Sequence, residues 1–336
     1  MRRGVAIRRR MARGPTALTI GVVLVVASGS SASAQPDGPG SSGPVRSASS
    51  STPRLVWVAL EGAGELAKVD VIAREVVRRV TTGGGPHNLT VNGAGTVAAT
   101  LYASDKVAMV RRGRLRKVRL GGRPHDVKAY SGGFVVANED GHKVQFLGPA
   151  GGRKGRVLLP APPHDLAVQK GAGKAWVSLD GDDRLAVVDL ETRAVRYVAT
   201  GHRPHDLLFA PDGRLFVTDW TGRLLVLSPT GVVKRVRKLG QEAHHLAFTP
   251  DGRRVWITDH DAHRVFVLAT GTLKILKSIR FPGAPHHVAV TPDGRLAVVA
   301  NHTGGTMVVY RASTMRRIAA IAVGGGPHGV WAVPPG

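Results

Sequence analysis

A Pro-His dipeptide, replaced once by Ala-His, recurs seven times along this chain of 336 residues at intervals of 38 to 42 residues. The seven histidines that carry this repeat are His87, His125, His164, His205, His244, His286 and His328. A period near forty residues is typical of repeat architectures, in which each unit is one supersecondary block. The chain is therefore expected to contain seven such units.

The sequence of each unit predicts four short strands separated by turns. In residues 204–240, the apolar runs HDLLFA, RLFVTDW, LLVLS and VVKRVRKL alternate with PDGR, TGR and PTG turn signals. No window after position 54 shows a convincing helical period, so helix content should be close to nil. Four-stranded units of this length, arranged around an axis, predict a β-propeller.

The two ends of the chain predict how the propeller closes. Residues 54–81 supply only three strands, whereas the stretch HGVWAV after Pro327 supplies one strand with nothing following it. The last strand should therefore complete the first blade, which leaves no open sheet edge. The predicted fold is all-β: a seven-bladed β-propeller with four antiparallel strands per blade, closed by the C-terminal strand.

Residues 54–336 resemble the YVTN-repeat family of seven-bladed propellers, common among exported bacterial proteins. The resemblance rests on segments such as PHDLLFAPDGRLFVTD and PHHVAVTPDGRLAVVAN. The early segments VNGAGTVAATLY and YSGGFVVANE depart from the pattern because they lack the PDG turn. The resemblance implies the fold but no single activity, since such propellers include lactonases, lyases, metal oxidoreductase domains and binding modules.

The N-terminal region predicts export. A basic start, the apolar run ALTIGVVLVVASG and the small residues Ala32-Ser33-Ala34 indicate a signal peptide over residues 1–34, cleaved near Ala34. Residues 35–53 are a Gly/Ser/Pro linker expected to be disordered, and residues 54–336 form the propeller. The mature chain is expected to be secreted, periplasmic or cell-wall associated, monomeric and without a transmembrane span. Because the chain has no cysteine, neither disulfides nor a lipid-modified cysteine are expected.

The formal net charge is +24, and many cations fall in the fourth strand of each unit, which faces outward in a propeller. One interpretation is a basic rim that binds an anionic polymer of the cell envelope. The alternative is a solvated outer edge whose charges prevent edge-to-edge pairing. Aromatic residues are not interleaved with these charges, which favours the second interpretation over a nucleic-acid interface.

Strand connectivity predicts that all fourteen histidines lie on one face of the disc, together with many acids. Residues expected to bind a small-molecule or peptide ligand at this mouth of the channel are the seven repeat histidines, Asp126, Asp165, Asp206 and Trp220. The alternative is that duplication copied these residues without function, the histidines bonding to neighbouring blades and the aspartates to loop amides.

Imidazole and carboxylate groups together favour a divalent metal such as zinc, iron, copper, nickel or manganese. Seven equivalent histidines cannot all reach one ion, so an off-axis site in the two histidine-rich units near the C-terminus is expected. Its candidate ligands are His245, His260, His263, His287, His302 and Asp259. The sequence has no Gly-Lys-Ser/Thr phosphate-binding loop and no Gly-x-Gly-x-x-Gly segment placed between a strand and a helix, so no nucleotide cofactor is expected.

Three functions remain open on the sequence. The first is an exported binding or scaffold protein that holds a ligand or metal at the mouth without turnover. The second is a metal-dependent lactonase or streptogramin-lyase-like enzyme using the same face, in which a His or Glu acts as general base. The third is a multi-histidine redox site. We also expect the clustered imidazoles to gain positive charge between neutral and mildly acidic pH.

Overall fold

Seven blades surround a central channel in the computed structural model, which describes residues 54–334. The predicted signal peptide (1–34) and linker (35–53) lie outside the described residues. Each blade is a sheet of four antiparallel strands, and the only helical segment among the described residues is a short 3₁₀ helix, Tyr102–Ser104. The predicted fold class is confirmed.

The strands are given from the innermost to the outermost in each blade. Blade 1 contains β28 (Pro327–Ala332), β1 (Leu55–Leu60), β2 (Glu65–Asp70) and β3 (Glu75–Thr81). Blade 2 contains β4 (Pro86–Val91), β5 (Val97–Leu101), β6 (Lys106–Arg111) and β7 (Arg114–Arg119). Blade 3 contains β8 (Pro124–Tyr130), β9 (Gly133–Asn138), β10 (Lys143–Leu147) and β11 (Arg153–Leu158). Blade 4 contains β12 (Pro163–Gln169), β13 (Lys174–Leu179), β14 (Arg184–Asp189) and β15 (Val195–Ala199).

Blade 5 contains β16 (Pro204–Phe209), β17 (Leu215–Asp219), β18 (Arg223–Leu227) and β19 (Val233–Lys238). Blade 6 contains β20 (Ala243–Phe248), β21 (Arg254–Asp259), β22 (Arg264–Ala269) and β23 (Ile275–Arg280). Blade 7 contains β24 (Pro285–Val290), β25 (Leu296–Asn301), β26 (Thr306–Arg311) and β27 (Arg316–Ala322).

The ring closes in the first blade, as predicted. Strand β28, from the C-terminal end of the chain, pairs with β1, so that Trp57 lies opposite Trp331 and Val58 opposite Val330. The pairing of β28 with β1 gives blade 1 the same four-stranded order as the other six. The two strands thus satisfy backbone groups that an open edge would expose.

The hydrophobic core is divided among the blade interfaces. Seven clusters of buried side chains occur, one between each pair of neighbouring blades. The second and third strands of a blade are covered on both faces and read as near-continuous apolar runs, such as LFVTD and RLLVL in blade 5. Trp176 and Trp256 are fully buried in these interfaces. Each blade is therefore stabilised mainly by its two neighbours.

The outermost strands are exposed and rich in arginine, and several of these arginines join neighbouring blades. Arg116 donates to the carbonyl oxygen of Ala150 at 2.7 Å, and Arg235 donates to the carbonyl oxygen of Gly271 at 2.6 Å. Arg196 donates to Thr230 in the same way at 3.2 Å. A guanidinium can reach across and donate several hydrogen bonds at once. Part of the basic rim thus has a structural role in linking blades.

Within residues 54–334, no helix has the length and apolar character required to cross a membrane.

Candidate functional site

A β-bulge at the start of each innermost strand brings the repeat histidines and the residues that follow them to the channel. In blade 4, Pro163 pairs with Leu179 and Leu166 with Val177, so the innermost strand has one residue more than its partner over this stretch. The same shift occurs in all seven blades. A bulge interrupts the alternation of side chains between the two faces of a strand. Two consecutive side chains per blade can therefore face inward.

The first of these two side chains forms a closed ring of seven imidazoles at one mouth of the channel. Distances between neighbouring ring centroids, starting from the pair His87 and His125 and following the blades, are 4.5, 3.7, 4.8, 4.2, 4.4, 3.6 and 3.6 Å. Each repeat histidine is the second residue of its innermost strand, not a residue of the preceding loop. We call this arrangement the histidine ring.

The second side chain forms another layer, whose residues differ from blade to blade. From blade 2 to blade 7 and then blade 1 they are Asn88, Asp126, Asp165, Asp206, His245, His287 and Gly329. Glycine is required in the last position, because a Cβ at Gly329 would lie 2.5 Å from the carbonyl oxygen of His87. The layer divides the mouth into an acidic half, formed by Asp126, Asp165 and Asp206, and an imidazole half, formed by His244, His245, His286, His287 and His328.

Two carboxylates of the acidic half hold neighbouring blades together. Asp126 accepts hydrogen bonds from the amides of Val127 and Leu166, at 2.8 and 2.9 Å, and Leu166 belongs to the next blade. Asp206 accepts from the amides of Leu207 and Leu246 at 2.8 and 3.0 Å in the same manner. These carboxylates satisfy buried amides, which is the structural alternative considered for the repeated aspartates.

Lys128 is the cation of the acidic half, and its ammonium lies 2.7 and 2.6 Å from the two carboxylate oxygens of Asp126. Burial lowers the pKa of Lys128, but the charges of Asp126, Asp165 and Asp206 outweigh it and raise the pKa overall. Burial also raises the pKa of Asp206 well above its usual value, and the charge of Asp165 adds to this rise. Sequence reasoning missed Lys128, although its position three residues after His125 on an inward-facing strand was a usable signal.

Asp165 forms the remaining part of the acidic half and contacts histidines of the ring. Its carboxylate accepts from the Asn88 amide at 3.2 Å and lies 3.1 Å from Nδ1 of His164. Burial opposes protonation of His164, but the charge of Asp165 and the hydrogen bond to it raise the pKa of this imidazole. Burial likewise opposes ionisation of Asp165, yet His164 and His125 lower its pKa well below the usual value. Asp165 and His164 thus behave as an ion pair.

The imidazole half brings its histidines close enough to share an ion. The candidate ligand atoms of His244, His245 and His286 all lie within 4.8 Å of one another, and so do those of His286, His287 and His328. The ring of His286 is central to both groups, since its centroid lies 4.4 Å from that of His244 and 3.6 Å from that of His328. The rings of His245 and His287 stack with centroids 3.3 Å apart.

Several nitrogens of this half are buried without a protein partner. Among the residues that the structure describes, Nδ1 of His244, His286 and His328 and Nε2 of His287 accept or donate no hydrogen bond. An unpaired buried polar atom loses its hydration without compensation, so each one destabilises the fold. These nitrogens belong to histidines whose candidate ligand atoms lie within 4.8 Å of one another, a donor set suited to a ligand that accepts several lone pairs, as a metal ion does.

The imidazoles of this half are held in the neutral form. Burial lowers the pKa of His286 and His328 well below the usual value, and neighbouring imidazoles lower it further. Burial also lowers the pKa of His244 to about 3. The expectation that the whole histidine face charges on mild acidification is therefore wrong for these buried residues, because desolvation disfavours the imidazolium.

The other predicted metal ligands lie at different depths. The rings of His260 and His302 each lie 5.7 Å from that of His286, at the margin of the imidazole half. Exposed His263 bonds through Nδ1 to the carbonyl oxygen of Gly283 at 2.6 Å. The carboxylate of Asp259 accepts from the amides of Gln241 and Ala262, both at 2.9 Å. The contacts of His263 and Asp259 are those of loop-stabilising residues, and metal binding by any of the four stays a prediction.

Trp220 lies at the same mouth, as predicted, at the boundary between the two halves. Its ring is perpendicular to that of His205, with centroids 4.2 Å apart. It also makes an edge contact with the ring of His164, with centroids 5.6 Å apart. Its indole Nε1 is buried and makes no hydrogen bond with the described residues. Ligand stacking on Trp220 stays a prediction.

Carboxylates from the loops surround the histidine ring. Glu61 lies 3.4 Å from Nδ1 of His87, and Glu139 lies 3.8 Å from Nε2 of His164. Glu242, which sequence reasoning missed, lies 3.7 Å from Nε2 of His244. Burial raises the pKa of Glu242 to about 7, and the nearby charge of Asp261 contributes. The position of Glu242 two residues before a repeat histidine was the only signal in the sequence.

Comparison with known proteins agrees with this architecture. The sequence pattern of the YNCE-like beta-propeller family matches residues 154–335, and the chain belongs to this family. Among curated proteins, none matches the chain significantly.

Solved structures share the fold at low sequence identity. A functionally unknown protein from Desulfotomaculum acetoxidans has a TM-score of 0.76 at 12% identity, covering 84% of this chain and 100% of its own. A putative 6-phosphogluconolactonase from Bacteroides fragilis has a TM-score of 0.71 at 15% identity. The match covers 85% of this chain and 99% of the lactonase chain. A third structure is a catalytically inactive virginiamycin B lyase from Staphylococcus aureus, solved with quinupristin. It has a TM-score of 0.67 at 14% identity, and the match covers 83% of this chain and 95% of the lyase chain. These similarities define a seven-bladed propeller and leave its ligand open.

Proposed function

We propose that this protein is an exported binding protein that holds a divalent transition metal ion in the imidazole half of the histidine mouth. The observation that carries the proposal is the group of unpaired, buried imidazole nitrogens of His244, His286, His287 and His328. A metal ion would accept their lone pairs and so offset the cost of burying them.

The chemistry of these ligands favours zinc, copper or nickel over magnesium or calcium. Imidazole suits the former metals, whereas magnesium and calcium prefer oxygen ligands. Nitrogens bound to one zinc ion lie about 2 Å from it. Groups whose candidate atoms already lie within 4.8 Å of one another need only side-chain adjustment to converge. Because burial lowers the pKa of His244 and His286, no proton has to leave them at neutral pH before an ion binds.

Zinc titration of residues 35–336, purified without a His tag, tests the proposal. The test variant is His286→Asn/His328→Asn, which removes two ligands from the imidazole half. The control is His142→Asn, because this exposed histidine lies on the same face, is not one of the predicted ligands and has positive φ, which asparagine tolerates. Competition with a chromophoric chelator gives the dissociation constant and the stoichiometry.

We expect one zinc ion per chain in the parent protein and in the control variant. In the test variant we expect the affinity to fall by at least about a hundredfold, since metal ligands contribute strongly to binding. Equal affinity in both variants would contradict the proposed site. Absence of zinc, copper and nickel binding by the parent protein would contradict the proposed function.

A second candidate function, a metal-dependent lactonase or lyase, is favoured by the carboxylates next to the ring. Glu242 lies 3.7 Å from His244 and Glu61 lies 3.4 Å from His87, which supplies candidate general bases beside candidate metal ligands. The structural relatives include a putative lactonase and a virginiamycin B lyase. Incubation of the zinc-loaded protein with quinupristin and a panel of lactones, followed by mass spectrometry, tests this alternative. Product formation that is lost in Glu242→Gln would replace the binding role with an enzymatic one.

The basic rim is proposed as a secondary surface for an anionic polymer of the cell envelope. Its support is the run of cations on the exposed outer strands, such as β7 and β19. Sedimentation with purified cell walls at low and high salt tests this role. Binding that high salt does not weaken would contradict it, since an interaction with a polyanion is screened by salt.

A further inference from the structure

The mouth of the channel opposite the histidine ring opens into a cavity of about 920 Å³. The innermost strands of blades 1 to 5 end here and supply its walls. Large apolar side chains in the cavity wall that remain only partly buried are Val91, Tyr130, Val168, Leu208, Phe209 and Trp331. We call this cavity the apolar funnel.

The position of these side chains follows from the same strands that carry the histidines. Each innermost strand begins at the histidine mouth and ends at the funnel, so one strand contributes polar groups at its start and apolar groups at its end. Strand β16, for example, has His205 and Asp206 near its start and Leu208 and Phe209 at its end. The final residues pack against the core clusters between blades but are only partly buried there, which leaves aromatic and branched side chains partly open to solvent.

The composition of the funnel is that of a small-molecule site. Such sites are typically 300 to 1,000 Å³, mainly apolar and aromatic, with a small number of oriented polar groups. Here the polar groups include Lys170 at the rim, Gln169 in the wall and Trp331. The indole Nε1 of Trp331 is buried and has no hydrogen-bond partner among the residues of the described chain. It is therefore a donor available to an acceptor on a ligand.

The charge of the funnel favours an anion. Lys128 and Lys170 are in its wall, and no aspartate or glutamate is among the described residues that line it. Lys128 is neutralised by Asp126, whereas Lys170 is exposed at the opening. The carboxylates of Asp126 and Asp206 lie deeper, where a smaller cavity continues toward the channel. An anionic group on a ligand would thus be placed at the rim near Lys170, with its apolar part inside.

We infer that the apolar funnel binds a small aromatic or aliphatic molecule that carries one anionic group. The apolar body packs against Phe209, Leu208 and Trp331, and the anionic group faces Lys170. This site lies at the end of the channel opposite the histidine ring and does not depend on metal binding there.

Two fluorescent probes of similar shape test the inference on residues 35–336. The anionic probe is anilinonaphthalene sulfonate, and the neutral probe is phenylnaphthylamine. The variants are Trp331→Ala/Phe209→Ala in the funnel, Lys170→Glu at its rim, and, as the control, Tyr197→Ala, which removes an exposed aromatic side chain from the outer strand β15. Circular dichroism and thermal unfolding establish that each variant folds, and Lys170→Glu, being exposed, provides a test that does not disturb packing.

We expect saturable binding of both probes at one site per chain, with and without zinc. The double variant Trp331→Ala/Phe209→Ala should lower the affinity for both probes by about tenfold, because two aromatic contacts are removed. Lys170→Glu should lower the affinity for the anionic sulfonate probe about fivefold and leave the affinity for the neutral probe unchanged. Tyr197→Ala should leave the binding of both probes unchanged.

The proposed site would be wrong if the parent protein bound neither probe. It would also be wrong if the double variant Trp331→Ala/Phe209→Ala bound both probes as tightly as the parent protein. An equal response of both probes to Lys170→Glu would overturn the preference for an anion. Neither result depends on whether the protein binds zinc, so the inference and the proposed metal function fail independently.

Discussion

The acidic half and the imidazole half of the histidine mouth occupy equivalent positions in the repeat but use their polar groups differently. In the acidic half, Asp126 and Asp206 each accept amides from the next blade, and Asp126 also pairs with Lys128. In the imidazole half, the corresponding side chains of His245 and His287 stack on each other instead. Nitrogens of His286, His287 and His328 are left unpaired within the described chain.

This difference shows that residues at equivalent positions of the repeat can have different roles, even though the repeat arose by duplication. At Asp126 and Asp206, hydrogen bonds from amides of the next blade account for the carboxylate without a ligand. His245 contacts Asp206 at 3.3 Å, whereas Nε2 of His287 is buried and has no hydrogen-bond partner among the described residues, which destabilises the fold. Sites that destabilise a fold in this way are where binding function is expected.

The largest effect should come from the acidic half. Asp126→Ala leaves the Lys128 ammonium without its partner in a mostly buried position and removes two amide contacts. We expect the free energy of unfolding to fall by about 3 kcal/mol, since breaking a buried ion pair costs more than the pair contributes. Urea unfolding measures this change, and Asp126→Ala/Lys128→Met should recover part of it. Loss of zinc affinity in folded Asp126→Ala would contradict the division into two halves.

Acidification should destabilise the protein next most strongly. Burial lowers the pKa of seven imidazoles, those of His125, His205, His244, His245, His286, His287 and His328. In the unfolded chain they titrate near 6.5, so below that pH the unfolded state binds more protons and the free energy of unfolding decreases. Four groups with raised pKa, His164, Asp126, Asp206 and Glu242, oppose this trend but are outnumbered.

We expect a decrease of about 2 kcal/mol between pH 7 and pH 5 in the metal-free protein. Urea titrations at a series of pH values measure it. Stability that rises over this interval would show that the acidic half, and not the imidazoles, dominates the proton balance.

Much of the fold was predictable because it depends on short-range patterns that repeat seven times. The strand count, the absence of long helices and the closure by β28 all follow from apolar runs and turns, and the structure confirms them. The approach of the seven repeat histidines to one mouth also follows from their position at the start of the innermost strands.

The division of the mouth could not be predicted in the same way. It depends on the bulge that turns two consecutive residues inward, and on amides such as that of Leu166, forty residues after Asp126, lying within reach. The pairing of Glu242 with His244 depends on loop geometry that no motif specifies. The abundance of histidines near the C-terminus favours His260, His263, His302 and Asp259 as ligands, but abundance does not reveal which side-chain atoms are already hydrogen-bonded.

A single substitution in the imidazole half should have a small and opposite effect on stability. His287→Leu removes an unpaired buried nitrogen and keeps a side chain of similar size. We expect the metal-free protein to be unchanged or more stable by up to about 1 kcal/mol, while zinc affinity falls. Thermal unfolding with a zinc titration measures both. A destabilisation similar to that of Asp126→Ala would indicate that His287 has a structural role like that of the aspartates.

The smallest effect is expected at the boundary between the halves. Trp220→Phe keeps the aromatic edge contacts with His205 and His164 and removes only the unpaired indole nitrogen. We expect the free energy of unfolding to change by less than about 0.5 kcal/mol and the zinc affinity to stay the same. A clear loss of zinc affinity, measured by chelator competition, would place the ion nearer the acidic half than proposed.

Anomalous X-ray diffraction from crystals grown with zinc tests the central claim most directly. The proposal predicts one strong anomalous peak within bonding distance of three or more imidazoles of the imidazole half, with His286 among them. A peak in the acidic half between Asp165 and Asp206, or no peak at this mouth in a protein that folds and accepts zinc elsewhere, would contradict it.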